Sequence, residues 1–294
     1  MVKDAIDADR VNDLIQRCSR EVDEGLLPSC QLAIGFRGEI VVDHTIGDAS
    51  EDIRYCFFSA TKPFVAATIW QLVSEELLDL EAPIAAFIPE FGNNGKEAIT
   101  LRQVLLHTSG FPHAPMGPKV WSTSDSRRTR MSEWQLNWEP GTRYEYHPTS
   151  AHWVLAELII EVTGRPYTDE IHQRVTGPLG IPRILGLDLD NQESVAQLTL
   201  CEGEATPDEL ESVFGVREMP PSEVTNETII RFNDPHTREV GVPGGGGYGR
   251  AADLAQFYQA LLHNPDNLWH PTTLADATGQ VHNNLRDPMG VPAN

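Results

Sequence analysis

The stretch Phe58-Ser59-Ala60-Thr61-Lys62-Pro63-Phe64 decides how this chain is read. It holds a Ser-x-x-Lys pattern and runs straight into apolar residues at helical spacing: Val65, Ile69, Leu72 and Val73. That periodicity predicts a helix from about Ala60 to Ser74, with Pro63 in its first turn, where a missing N–H costs little. Three residues apart at a helix start, the Ser59 hydroxyl and the Lys62 amine share one face. Serine is a weak nucleophile until a neighbour takes its proton, and a desolvated lysine in the positive field of a helix N-terminus is suited to that task. The same spacing also describes a capping serine beside a solvated lysine, so the surroundings must decide. One compositional fact helps. Only Lys3, Lys62, Lys96 and Lys119 are lysines among 22 basic residues, so a lysine inside a motif is less often an accident here.

Upstream, Val11, Leu14, Ile15, Cys18 and Val22 predict an amphipathic helix, broken between Gly25 and Pro28. The runs starting at Gln31 and Glu39 flank Arg37-Gly38 and read as a hairpin of two strands. Downstream, Thr100 and Gln103 form a capping-box pattern opening a short helix that leads into Leu105-Leu106-His107-Thr108-Ser109-Gly110, with Gly110 as the expected stop. Pro140-Gly141-Thr142-Arg143-Tyr144-Glu145-Tyr146-His147-Pro148 supplies a turn, and Thr149 or Ser150 caps a strongly periodic helix that Gly164 ends. Between Leu185 and Ile230 the sole basic residue is Arg217 against eleven acidic ones, which reads as a solvated excursion with short helices rather than core. Gly244 to Gly247 mark tight backbone before a helix from Ala252 to about Leu262. Strands before a long helical middle suggest an α+β layout with the sheet at one end.

In this setting the sequence resembles the serine β-lactamase and penicillin-binding protein superfamily, and most of all the class C β-lactamases and related esterases. The likeness runs in order through Gly25-Leu26-Leu27-Pro28, the Ser59 stretch, Leu78-Asp79-Leu80-Glu81-Ala82-Pro83-Ile84, Leu105 to Gly110, Pro140 to Tyr146, Val162-Thr163-Gly164, Pro178-Leu179-Gly180-Ile181 and Gly244 to Gly247. It implies a β-lactamase/transpeptidase-like α+β fold: an antiparallel sheet flanked by helices plus a mostly helical region. It further implies a single domain in three parts, 1–92, 93–240 and 241–294. It makes Ser59 the nucleophile, Lys62 its proton acceptor and Tyr146 a proton shuttle, with the Ser59 N–H as one arm of an oxyanion hole. A cationic lysine beside Tyr146 would lower the phenol from its usual value near about 10.

Three departures stand out. Ser29 occupies a position where the family has glycine. Tyr146-His147-Pro148 stands where the family has Tyr-x-Asn, and proline offers no side-chain donor or acceptor, which tilts the substrate from amides and β-lactams toward esters. His147 is then a candidate polar contact to substrate or an auxiliary base, or else a packing residue. Nothing between Ala251 and Asn294 matches the family's Lys-Thr-Gly or His-x-Gly motif, so the C-terminal strands of the fold are expected to be missing and the chain to be incomplete.

The formal charge of −21 argues against nucleic-acid partners and against adhesion to anionic lipid. No run of about 18 apolar residues occurs, and the acidic start is unlike a signal peptide, so a cytoplasmic protein is expected. Cys18, Cys30, Cys56 and Cys201 are scattered and read as reduced, mostly buried thiols. His147 and His152 lack metal-ligand spacing, and the glycine run lacks the Gly-Lys-Ser/Thr ending of a phosphate loop, so neither metal nor cofactor is expected. Trp121, Trp134 and Trp138 are either core aromatics or walls of an acyl pocket, with Trp138 the candidate substrate contact. The reading is a serine hydrolase working through an acyl-enzyme on a small-molecule ester, ahead of an amide or β-lactam. The alternatives are a non-catalytic binding or scaffold member of the same fold, or an acyltransferase.

Overall fold

Asp7 accepts hydrogen bonds from the Asp9 and Arg10 N–H groups and so starts the first helix, α1 (Ala8–Asp23). The computed structural model describes residues 6–200, 205–218 and 224–288. The strands β1 (Ser29–Phe36) and β2 (Glu39–Gly47) pair antiparallel through a two-residue turn. Both turn residues have positive φ, 52° at Arg37 and 84° at Gly38, the hand that matches strand twist. A second antiparallel pair joins β3 (Tyr55–Cys56) to β4 (Tyr248–Gly249), nearly two hundred residues on. Among the described residues no strand follows β4.

Two helices organise the core. Both α2 (Lys62–Ser74) and α5 (Ser150–Thr163) are buried nearly all round and pack on each other. Between them in sequence lie α3 (Leu101–Leu105), opened by the expected capping box, and α4 (Ser124–Glu133). After α5 come α6 (Tyr167–Ile171), α7 (Pro207–Phe214), α8 (Asn226–Ile230) and α9 (Pro235–Val240). The helix α10 (Ala251–His263) lies on the β1–β2 hairpin so closely that a Cβ at Gly35 would come 2.5 Å from Gln259. It also stacks Phe257 on Phe64 of α2, ring centres 4.0 Å apart, and thereby joins sheet to helical core. The last helix is α11 (Pro271–Gly279). The α+β expectation holds, with the strands among the described residues forming two separate antiparallel pairs rather than one sheet. No helix among the described residues is long and apolar enough to cross a membrane.

A buried ion cluster fastens α4 to α5. Glu157, fully buried, faces Arg127 Nε at 2.5 Å and Arg128 Nε at 3.1 Å and accepts the Ser124 hydroxyl; Arg128 also reaches Glu161 at 2.7 Å. Removing the carboxylate charge would strand Arg127, itself buried, without a counter-charge. Glu157→Gln is therefore expected to destabilise the protein by about 3 kcal/mol, read as a lower midpoint in urea.

Several sequence expectations are corrected. The segment after Leu185 is not all excursion: Leu185, Leu187 and Val195 are buried, because charge counting overlooks the apolar residues set between its acids. The short third helix ends at Leu105, earlier than Gly110, and His107 takes a left-handed φ of 56° two residues later. Of the cysteines, Cys18, Cys30 and Cys56 are free but only half-buried, and Cys201 lies outside the described residues. Trp121 and Trp134 are core residues, while Trp138 is half-buried.

Candidate active site

Ser59 sits on a single 3-10 turn, Phe58–Thr61, and α2 proper begins at Lys62, two residues later than the periodicity suggested. The residue before the serine, Phe58, has a φ of 45°, which is strained for a bulky side chain. This conformation leaves Ser59 exposed and Lys62 buried directly behind it. Among the described residues the Ser59 N–H has no partner outside its own turn, so it is placed to donate to a ligand's oxygen.

Lys62 Nζ lies 3.3 Å from Ser59 Oγ, 2.9 Å from the Pro148 carbonyl oxygen and 2.5 Å from the Gly244 carbonyl oxygen. Burial pulls the amine from 10.5 down to about 7. Its place at the first residue of α2, where the helix field disfavours a cation, acts in the same direction. At neutral pH a large share of the amine is uncharged. When the amine is neutral, its two N–H bonds can go to the two carbonyls, which leaves its lone pair for the Ser59 hydroxyl. The chain's missing side-chain partner at position 148 is thus replaced by the main chain of the same residue.

The glycine run explains the second carbonyl. Gly247 N–H donates to Thr61 Oγ1 at 2.9 Å, and the Gly247 carbonyl accepts the Phe57 N–H at 2.7 Å. A Cβ at Gly247 would stand 2.7 Å from Thr61 Oγ1, so only glycine lets this backbone press against the Ser59 turn. Gly244 then presents its carbonyl to Lys62.

Tyr146 completes the group. Its hydroxyl donates to Ser59 Oγ at 2.7 Å, and its ring lies 4.9 Å from Lys62 Nζ. The lowered phenol pKa expected from a cationic neighbour is not what the site produces. Burial raises it, outweighing the Ser59 hydrogen bond, so Tyr146 keeps its phenolic proton at neutral pH. The expectation for His147 is corrected as well. Its side chain is fully buried and contacts Ser109, Phe111 and Glu145 rather than open space. Trp138 stays half-buried and donates its indole N–H to Glu145 at 3.2 Å, edge-on to His147. The sequence assigns no role to His107, whose ring lies 5.1 Å from that of Tyr146, nor to the carbonyls of Pro148 and Gly244. His107 carried a signal in the Leu105–Gly110 motif; backbone carbonyls carry none. No cluster of three or more His, Cys, Asp or Glu among the described residues could hold a metal.

A β-lactamase/transpeptidase-like fold with Ser, Lys and Tyr gathered at the start of its central helices defines the class. The chain belongs to the Beta-lactamase family, whose profile matches residues 13–294. It is 29% identical over 265 residues to Esterase EstB of Burkholderia gladioli, covering 83% of this chain and 64% of that protein. The chain therefore spans less than two thirds of that relative's length. A penicillin-binding protein homologue from Caulobacter crescentus superposes with a TM-score of 0.76 at 25% identity, covering 97% of this chain and 78% of the other. A family VIII carboxylesterase gives the same TM-score at 24% identity, over 91% and 74% of the two chains.

Proposed function

We propose that the protein is a serine hydrolase that cleaves small-molecule esters through an acyl-enzyme on Ser59. The observation that carries this is the Ser59–Lys62–Tyr146 arrangement, with a base near neutrality on one side of the hydroxyl and a phenol on the other. Neutral Lys62 takes the Ser59 proton as Oγ attacks the carbonyl carbon, and the oxyanion faces the Ser59 N–H. As the tetrahedral species collapses, Tyr146 protonates the departing alkoxide and is reprotonated from Lys62. Water then attacks the acyl-enzyme by the reverse path, so ester and water give acid and alcohol. Two facts favour an ester over an amide. Pro148 has no side-chain amide or carboxamide with which to grip a substrate amide. A relative that matches 83% of this chain is named an esterase.

The test is covalent. The full chain incubated with a fluorophosphonate should gain one label, on the peptide carrying Ser59, and should hydrolyse p-nitrophenyl acetate faster than a penicillin. A label on another residue, or none, overturns the proposal. Within the same mechanism, Tyr146→Phe removes one proton donor but leaves nucleophile and base, so kcat on p-nitrophenyl esters should fall about 300-fold with KM changed little.

A further inference from the structure

Tyr146 has few means of its own to stay over Ser59. It lies in an irregular segment between the turn at Gly141 and the start of α5, and its hydroxyl bond to Ser59 is the contact to be positioned rather than an anchor. Two histidines, His147 fully buried and His107 half-buried, fix the backbone on both sides of it. His107 accepts the Glu145 N–H on its carbonyl oxygen at 3.3 Å and the His147 N–H on its Nδ1 at 3.1 Å. The imidazole thus continues a strand-like pairing that the main chain of one residue could only half supply. His147 returns the arrangement: its Nε2 accepts the Phe111 N–H at 3.3 Å and lies 3.1 Å from Ser109 Oγ, while its Nδ1–H donates to the Glu145 carbonyl at 2.6 Å. Each histidine side chain therefore takes a main-chain N–H from the other's segment, and the two rings are 5.5 Å apart.

We propose that His107 and His147 form a reciprocal clasp that positions Tyr146 over Ser59, which makes them positioning residues for the acyl transfer; this rests on the assignment of Ser59 and Tyr146 above. Three observations support it. His107 holds a left-handed φ of 56°, a conformation that costs a non-glycine residue energy and persists only where the surroundings impose it. The His107 ring lies against the Tyr146 ring at 5.1 Å, so the clasp touches what it positions. Both imidazoles must stay neutral for Nδ1 of His107 and Nε2 of His147 to accept. Burial, followed for His107 by its histidine and lysine neighbours, lowers them to about 3 and about 4.

The experiment compares His107→Asn with His107→Leu in the full chain. The Oδ1 of asparagine sits nearly where imidazole Nδ1 sits, and asparagine tolerates left-handed φ; leucine offers neither. Rates are taken per active site, counted by exhaustive fluorophosphonate labelling, so that misfolded protein does not lower them. His107→Leu should lose about 30-fold in kcat with KM within about twofold, and His107→Asn should recover to within about threefold. If His107→Leu does not fold, His107→Gln, whose acceptor is displaced by one bond, should show the same loss. The double variant His107→Leu/Tyr146→Phe, or its glutamine counterpart, should be no slower than Tyr146→Phe alone, because a clasp with no phenol to place has nothing left to do. Losses that multiply in the double variant, or an asparagine variant as slow as the leucine one, overturn the clasp. Labelling that persists in Ser59→Ala overturns the nucleophile assignment instead, and the clasp falls with it.

Discussion

Ser59→Ala should lower kcat/KM on p-nitrophenyl esters by about 100,000-fold while leaving the protein as stable as before. The loss is large because the other groups act only through this oxygen. Lys62 has no proton to take and Tyr146 no alkoxide to protonate once the acyl-enzyme cannot form, and what remains is binding near one oxyanion donor. Stability should change by less than about 0.5 kcal/mol, since Ser59 is exposed and its hydroxyl meets only the two groups it serves. The pairing of these results is the test. A variant with intact melting behaviour and activity within tenfold of the parent would mean that another residue is the nucleophile.

Lys62→Met should separate activity from stability in opposite directions. Without a base the acylation rate should fall by about 1,000-fold or more. Stability should rise. In the unfolded chain the amine takes up a proton near 10.5, whereas in the folded protein it does so only near about 7. The folded state binds fewer protons between these values, so the stability contributed by this group increases as pH climbs from about 7 to 10.5 and is at its lowest below 7. At about 1.4 kcal/mol per pH unit the burial costs about 4 kcal/mol at neutrality. Methionine removes that cost but strands the carbonyls of Pro148 and Gly244, at about 1 kcal/mol each. The net gain of about 2 kcal/mol should appear as a melting temperature higher by roughly 3 °C at pH 7, shrinking toward pH 10. In the parent protein the same titration sets activity: kcat/KM should be flat above about pH 8 and fall tenfold per pH unit below about 7. Among the neighbours, His107 and His147 titrate too low, and Tyr146 too high, to produce that limb. An activity that holds level down to pH 5, or a methionine variant that melts earlier, would remove Lys62 from the role of base.

Much of this was legible because the relevant signals are local. The Ser-x-x-Lys spacing, the Thr100–Gln103 capping box, the Arg37-Gly38 turn and the apolar period of α5 each act within one or two turns of chain, and each is present in the fold. What escaped is non-local. His147 read as an approach to substrate because it is polar and lies next to Tyr146. Its burial depends on Phe111 and Ser109, more than thirty residues away. Pro148 read as a loss because side chains are what a sequence spells out, while its carbonyl, aimed at Lys62 by the start of α5, is common to every residue type. The direction of the Tyr146 shift is hidden from the sequence for the same reason. A nearby amine was counted as a charge before its own burial had removed much of that charge.

The two carbonyls that hold Lys62 also bear on how such a site drifts over generations. Because the groups come from the peptide backbone, no exchange of one amino acid for another deletes them. Position 148 is answerable to its backbone path and free in its side chain, so successive replacements there could reshape what an incoming molecule meets while the amine behind keeps its setting. Gly244, by contrast, is crowded by the Pro148 oxygen that a Cβ would approach at 3.0 Å, so a larger residue there must push aside the carbonyl that holds Lys62. A library that randomises position 148 alone should therefore shift preference among substrates with the pH profile unmoved, whereas the same library at 244 should yield mostly dead clones.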